Sequence, residues 1–173
     1  MTQNIYKIRK ALLIPFGTDV ILLFVLLLIS ILWKGSTTER VVLIVLFVPS
    51  LYFFVEVLYR KVTITDGGMV IQKFLRRKDL FWEDITHVGY LIIRKKVYIL
   101  LTTVKGFHIV SNAYENFSGL VKDICDHSSK EIVEEQLMGQ IEHPVRDISN
   151  IISTWVAALV ILGIIVTKFY PLS

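Results

Sequence analysis

Residues 11–33, ALLIPFGTDVILLFVLLLISILW, decide the architecture of this 173-residue chain. The run holds one ionisable residue, Asp19. At 1.5 Å per residue it is long enough to cross a hydrocarbon core about 30 Å thick. Two more runs, 41–58 and 149–167, have the same character. The polar connection Lys34-Gly-Ser-Thr-Thr-Glu-Arg40 makes the first two a helical hairpin. An 88-residue polar segment, Arg60 to Asp147, separates them from the third. The expectation is an integral membrane protein with three transmembrane helices and one small domain between the second and third. The organisation is then residues 1–59 as N-terminal segment and hairpin, 60–128 as the domain, 129–148 as an acidic helix and linker, and 149–173 as the third span and tail.

Residues flanking the spans set the orientation. Lys7, Arg9 and Lys10 precede the first run, Arg60 and Lys61 follow the second, and Arg146 precedes the third. Only Lys34 and Arg40 lie in the hairpin loop, and only Lys168 follows the third run. The N-terminus and the domain are therefore expected in the cytoplasm, with the C-terminus outside. The apolar run after the basic N-terminus is too long for a signal peptide, so it reads as an uncleaved helix. Asp19 and Glu56 are the acids inside the runs, and burying an ionisable group in lipid is expensive enough to make each a functional candidate. Glu56 also lies four residues before Arg60, a spacing that lets the two pair on a helix surface. Asp19 either pairs with another helix or marks a span starting near residue 18, in which case 5–16 is an interfacial helix. Ser149, Ser153 and Ala157 form a small-residue stripe suited to helix packing, within the chain or toward a partner.

Between Arg60 and Val110 the pattern changes to short β runs separated by turns. Lys61-Val-Thr-Ile-Thr65 alternates, and Asp66-Gly67-Gly68 is hairpin chemistry. Arg76-Arg77-Lys78 and Arg94-Lys95-Lys96 read as two basic turns, the second between runs 85–93 and 97–103. Asn112 and Glu115 form a capping box before the stripe Phe117, Leu120, Val121, Ile124 and Cys125, which predicts a helix. The fold class is thus membrane α-helical plus α+β: a small antiparallel barrel or sandwich closed by one helix. A second helix, Ser129 to Met138, is acidic, and Gly139 and Pro144 bracket the linker after it. Charge is polarised, with ten basic and four acidic residues over 60–105 and three basic and eight acidic over 106–147. The two basic turns could meet anionic headgroups, or they could be solvated tips that protect sheet edges.

Tyr59-Arg-Lys-Val-Thr-Ile-Thr-Asp-Gly-Gly68, followed by Phe81-Trp-Glu-Asp-Ile-Thr-His-Val88, another strand and one capped helix, resembles a bacterial pleckstrin-homology-like (PH-like) domain. The resemblance covers about residues 59–127 and is anchored in Trp82-x-Asp84-Ile85-x-x-Val88. Small bacterial membrane proteins of this kind often carry two helices before such a domain, and the third span departs from that layout. The resemblance implies binding, oligomerisation or scaffolding rather than catalysis. It does not extend to phosphoinositide recognition, because the first turn, Asp-Gly-Gly, lacks the basic cluster that would need.

No chemistry-bearing constellation stands out. His87, His108, His127 and His143 have no metal-site spacing to one another, to an acid or to Cys125, and no phosphate-cradling or nucleophile motif occurs. Cys125 lies alone on an apolar stripe, which excludes an intrachain disulfide. We therefore expect no enzyme, no cofactor and no nucleic-acid partner. The leading expectation is a scaffold or accessory subunit that binds a protein partner or a second copy. An anionic-lipid-responsive sensor and a subunit of a transporter or channel, with Asp19 lining its path, are the alternatives.

Overall fold

The computed structural model describes residues 3–33, 35–93, 96–104, 106–129, 132 and 149–170. The chain divides into two compact units, residues 1–9 with 59–147 and residues 10–58 with 148–173.

The first unit is built on β-strands. Strand β1 (Asn4–Lys7) precedes the long helices α1 (Lys10–Leu32) and α2 (Thr37–Tyr59) in the chain. Then follow β2 (Lys61–Thr65), β3 (Gly68–Gln72), β4 (Arg77–Phe81), a 3-10 turn over Trp82–Asp84, β5 (Ile85–Ile93), β6 (Lys96–Thr103), β7 (Gly106–Ser111) and helix α3 (Phe117–His127). Strands β1 to β4 form one antiparallel sheet in chain order, and β5 to β7 form another. No strand pair joins the two sheets among the described residues, so there is no closed barrel.

Period-two alternation sorts the side chains. Along β6 every second residue, Val97, Ile99, Leu101 and Thr103, is buried. Val62, Ile64 and Met69 from the other sheet are buried completely or nearly so. Helix α3 adds a stripe of Leu120, Val121 and Ile124 at helical spacing, all fully buried. Trp82 is a structural clamp. Its indole N–H donates to the Thr65 carbonyl at 2.9 Å, and its ring stacks on His127 at the end of α3, 5.1 Å between centroids.

Strand β1 was not legible as a strand. Residues 5–16 read as span or interfacial helix, yet Asn4–Lys7 pairs with β2 in the register Asn4↔Ile64 to Lys7↔Lys61. Tyr6 and Ile8 point inward while Ile5 is exposed. The Tyr6 hydroxyl and the Asn4 amide both donate to Asp123 of α3 at 2.6 Å, fastening strand to helix. Burial and the Asp123 carboxylate push the Tyr6 phenol above its ordinary range.

This strand also moves the start of α3. Arg9 N–H donates to Ala113 O at 3.0 Å, Glu115 N–H donates to Lys7 O at 2.7 Å, and Ile8 bridges Tyr114. Residues 113–115 are thus tied to the N-terminal segment, and the helix begins a turn later than the expected Asn112 cap. Asn116 takes the capping position in left-handed backbone (φ 50°, ψ 50°), which Asn tolerates, and accepts from Gly119 N–H. The Asn112 N–H instead donates to Val97 O at 2.9 Å. Apart from Ser129 and Ile132, the acidic stretch 129–148 lies outside the described residues.

Gly68 opens β3 opposite Phe81, where an added Cβ would overlap the carbonyl oxygen of Leu80. Gly68→Ala is therefore expected to cost about 1–3 kcal/mol, the usual penalty for overpacking. At the scale of such a domain that lowers its melting midpoint by roughly 5–20 °C, readable by scanning calorimetry of the detergent-solubilised protein.

The second unit holds α1, α2 and α4 (Ser149–Phe169), each long and apolar enough to cross a membrane. Leu26 and Ile29 of α1, Leu43 of α2 and Ile165 of α4 form its buried cluster. Phe54 sits 3.1 Å from where a side chain on Gly17 would begin, and Phe16 meets Phe54 edge-on, so α1 and α2 approach closely there. Ser36 caps α2 by accepting from Glu39 N–H at 3.1 Å. Instead of closing a capping box, Glu39 pairs with Lys168 at 3.0 Å, with Trp33 and Phe169 in edge contact beside it.

Candidate functional site

Strand register brings the site together in the four-stranded sheet. Lys7, Lys61, Gln72 and Arg77 share one row across β1 to β4, and Tyr6, Val62, Ile71 and Lys78 share the next. Because β1 ends and β2 begins at this row, the β3–β4 turn leaves from the end of the sheet at which the chain departs for α1 and returns from α2. The turn is Lys73-Phe74-Leu75-Arg76, closed by Lys73 N–H donating to Arg76 O at 2.7 Å. The Phe74 ring meets Tyr59 at 5.2 Å between centroids, while Leu75 is 76% exposed.

Behind the turn lies a cleft of about 250 Å³. Lys73, Arg76 and Lys78 line one side; Phe107, His108 and Ile109 of β7 line the other, with Ile71 among the lining residues. Phe107 and Ile109 are 75% and 61% exposed. Burial and the neighbouring Lys78 ammonium hold the His108 imidazole below its ordinary range, which favours the neutral ring at pH 7. Among the described residues no carboxylate lines the cleft. Its chemistry is that of an open, cationic, partly apolar surface.

The basic residues singled out from sequence separate here. The turn expected at Arg76–Lys78 lies three residues earlier, at 73–76, so Arg77 and Lys78 belong to β4 and point to opposite faces. Arg76 and Lys78 reach the cleft; Arg77 instead pairs with Asp79 at 3.0 Å on an exposed edge. Lys96 pairs with Ile93 in the β5–β6 hairpin, while Arg94 and Lys95 lie outside the described residues. Sequence reading passed over Phe74, Leu75, Phe107 and Ile109 as parts of a surface. The available signal was an apolar pair at a turn, flanked by bases.

A second exposed surface lies on β5, which pairs only with β6 and leaves its other edge open among the described residues. Leu91, Ile92 and Ile93 run consecutively along it, each nearly half exposed.

In the helical unit Asp19 is 8% exposed, and its Oδ1 meets no hydrogen-bond partner among the described residues. Glu56 is half-buried in the last turn of α2. Ser149, Ser153 and Ala157 are exposed; α4 buries Ala158 and Ile165 instead, one residue round the helix from Ala157. The Ser153 hydroxyl donates back to Ser149 O at 2.7 Å.

No group of three or more metal-ligating side chains occurs among the described residues. Tyr114 is pushed up to about 12 by burial, and the buried Cys125 thiol is raised by burial and by Asp126. Both shifts disfavour the reactive anion. Compared with protein-family models, curated proteins and solved structures, the chain matches none.

Proposed function

We propose that this chain is a non-enzymatic integral membrane scaffold or accessory subunit, whose cytoplasmic PH-like domain associates with a protein partner or with itself. Among the described residues, seven antiparallel strands in two sheets followed by one helix fit the PH-like resemblance. On that reading the membrane hairpin is inserted between the first and second strands. The cytoplasmic assignment is supported by Lys7, Arg9, Lys10, Arg60 and Lys61 at one side of the spans. At the other side Lys168 is neutralised by Glu39.

The edge of β5 that no described strand pairs with, with Leu91, Ile92 and Ile93 exposed on it, carries the association reading. Unpaired strand edges with apolar side chains are templates for adding a strand from another chain. Ile92→Lys places a charge in that edge at a position already half exposed, so the fold is expected to survive. Full-length protein purified in mild detergent and weighed as intact complexes is expected to show an oligomer or a stoichiometric partner. In Ile92→Lys that species should fall at least tenfold with an unchanged melting midpoint. A wild-type protein that stays monomeric and partnerless, or an Ile92→Lys complex as abundant as wild type, would sink the proposal.

A further inference from the structure

We propose that the β3–β4 turn is a second membrane contact: Phe74 and Leu75 insert into the interface of an anionic bilayer, and Lys73, Arg76 and Lys78 hold its headgroup phosphates. This goes beyond partner docking at β5 and involves a different surface.

Chain length places the turn. Lys7 lies three residues before the first residue of α1, and Lys61 lies two after the last residue of α2. At no more than about 3.6 Å per residue, their row stays within roughly 11 Å of the helix ends. Headgroup layers occupy the outer ~5–8 Å on each side of the hydrocarbon core, so the row lies at or near headgroup level. The turn at 73–76 projects beyond the row from the same end of the sheet, because β3 runs antiparallel to β2 and ends at Gln72 opposite Lys61.

Composition supplies the second argument. Leu75 is exposed beside Phe74 with a cation on either side, Lys73 and Arg76. Phe107 and Ile109 continue the apolar surface across the cleft. Apolar side chains ringed by cations match the boundary between acyl chains and anionic headgroups. Arg77 does not contribute, since Asp79 neutralises it on the other face. Each cation at an anionic surface is worth roughly fivefold in binding, so the three together amount to about a hundredfold preference for anionic over neutral lipid.

The test uses the full-length chain with Cys125→Ser, reconstituted into nanodiscs of phosphatidylcholine alone or mixed with phosphatidylglycerol. A polarity-sensitive fluorophore is attached at Leu75→Cys or, as a control at the opposite end of β2, at Asp66→Cys. In anionic discs the residue-75 label is expected to shift to the blue, to be quenched by brominated lipid, and to be shielded severalfold from aqueous iodide; the residue-66 label should stay in water. Combining Lys73→Glu, Arg76→Glu and Lys78→Glu should return the residue-75 label to water with the melting midpoint retained. A residue-75 label as iodide-accessible in anionic discs as in detergent overturns the proposal. So does equal lipid quenching at residues 66 and 75, or insertion that the triple substitution leaves unchanged. Association through β5 is read separately by the mass of the complex, so either proposal can fail alone.

Discussion

Replacing Ile8 with aspartate is expected to unfold the strand-built unit and leave the membrane helices inserted. Ile8 is 4% exposed and bridges Tyr114, which is itself 3% exposed. Its neighbours Lys7 and Arg9 make the backbone bonds that hold residues 113–115 against the N-terminus. A carboxylate there would be desolvated in the place of a buried apolar side chain. The cost of an unpaired buried charge is about 3–5 kcal/mol, a large share of the 5–15 kcal/mol that a domain has in total. At about 4–8 °C per kcal/mol this lowers the melting midpoint by roughly 15–30 °C. Ile8→Val, which removes one methylene, should cost only about 0.5–1.5 kcal/mol. The two variants are to be compared in detergent by thermal melting coupled to limited proteolysis within residues 60–128. If Ile8→Asp resists cleavage to the same temperature as Ile8→Val, β1 does not belong to the unit.

Reversing Lys168 to glutamate is expected to open the end of the helical unit where α1, α2 and α4 meet. Its Nζ lies 3.0 Å from Glu39 across helices 129 residues apart in the chain. Both side chains are only about one-third exposed, so the pair is worth more than a free surface pair, about 1–2 kcal/mol after allowing for solvent. Lys168→Glu removes that attraction and sets two carboxylates against each other. Cysteines at Trp33 and Phe169, whose rings now touch at 4.7 Å between centroids, report the separation. Disulfide formation between them in nanodiscs should fall severalfold in Lys168→Glu and recover when Glu39→Lys is added. Failure of the swapped pair to recover would assign the loss to something other than this ion pair.

The candidate surface was legible as a cluster of bases but not as an arrangement. Arg76, Arg77 and Lys78 are consecutive, and only the position of the turn decides which of them share a face. The register Gln72↔Arg77 begins β4 at Arg77, which sends Lys78 to the cleft and Arg77 to Asp79. Likewise a small-residue stripe on α4 is a local pattern, but the face that meets α1 and α2 depends on which apolar side chains interlock. Within the chain α4 buries Ala158 and Ile165, while Ser149, Ser153 and Ala157 are exposed.

The sequence by itself determined the three apolar helices, the hairpins around Asp66-Gly67 and between β5 and β6, and the stripe of α3. Each of these is written in neighbouring residues, as a continuous run or as a period of two or 3.6. Only the tertiary structure decided that Asn4–Lys7 is a strand, that α3 starts at Phe117, and which basic side chains reach the cleft. Lys7 finds its partner Lys61 across 54 residues and two intervening helices. A four-residue strand has no stability of its own, so pairing with β2 and burial of Tyr6 and Ile8 create it.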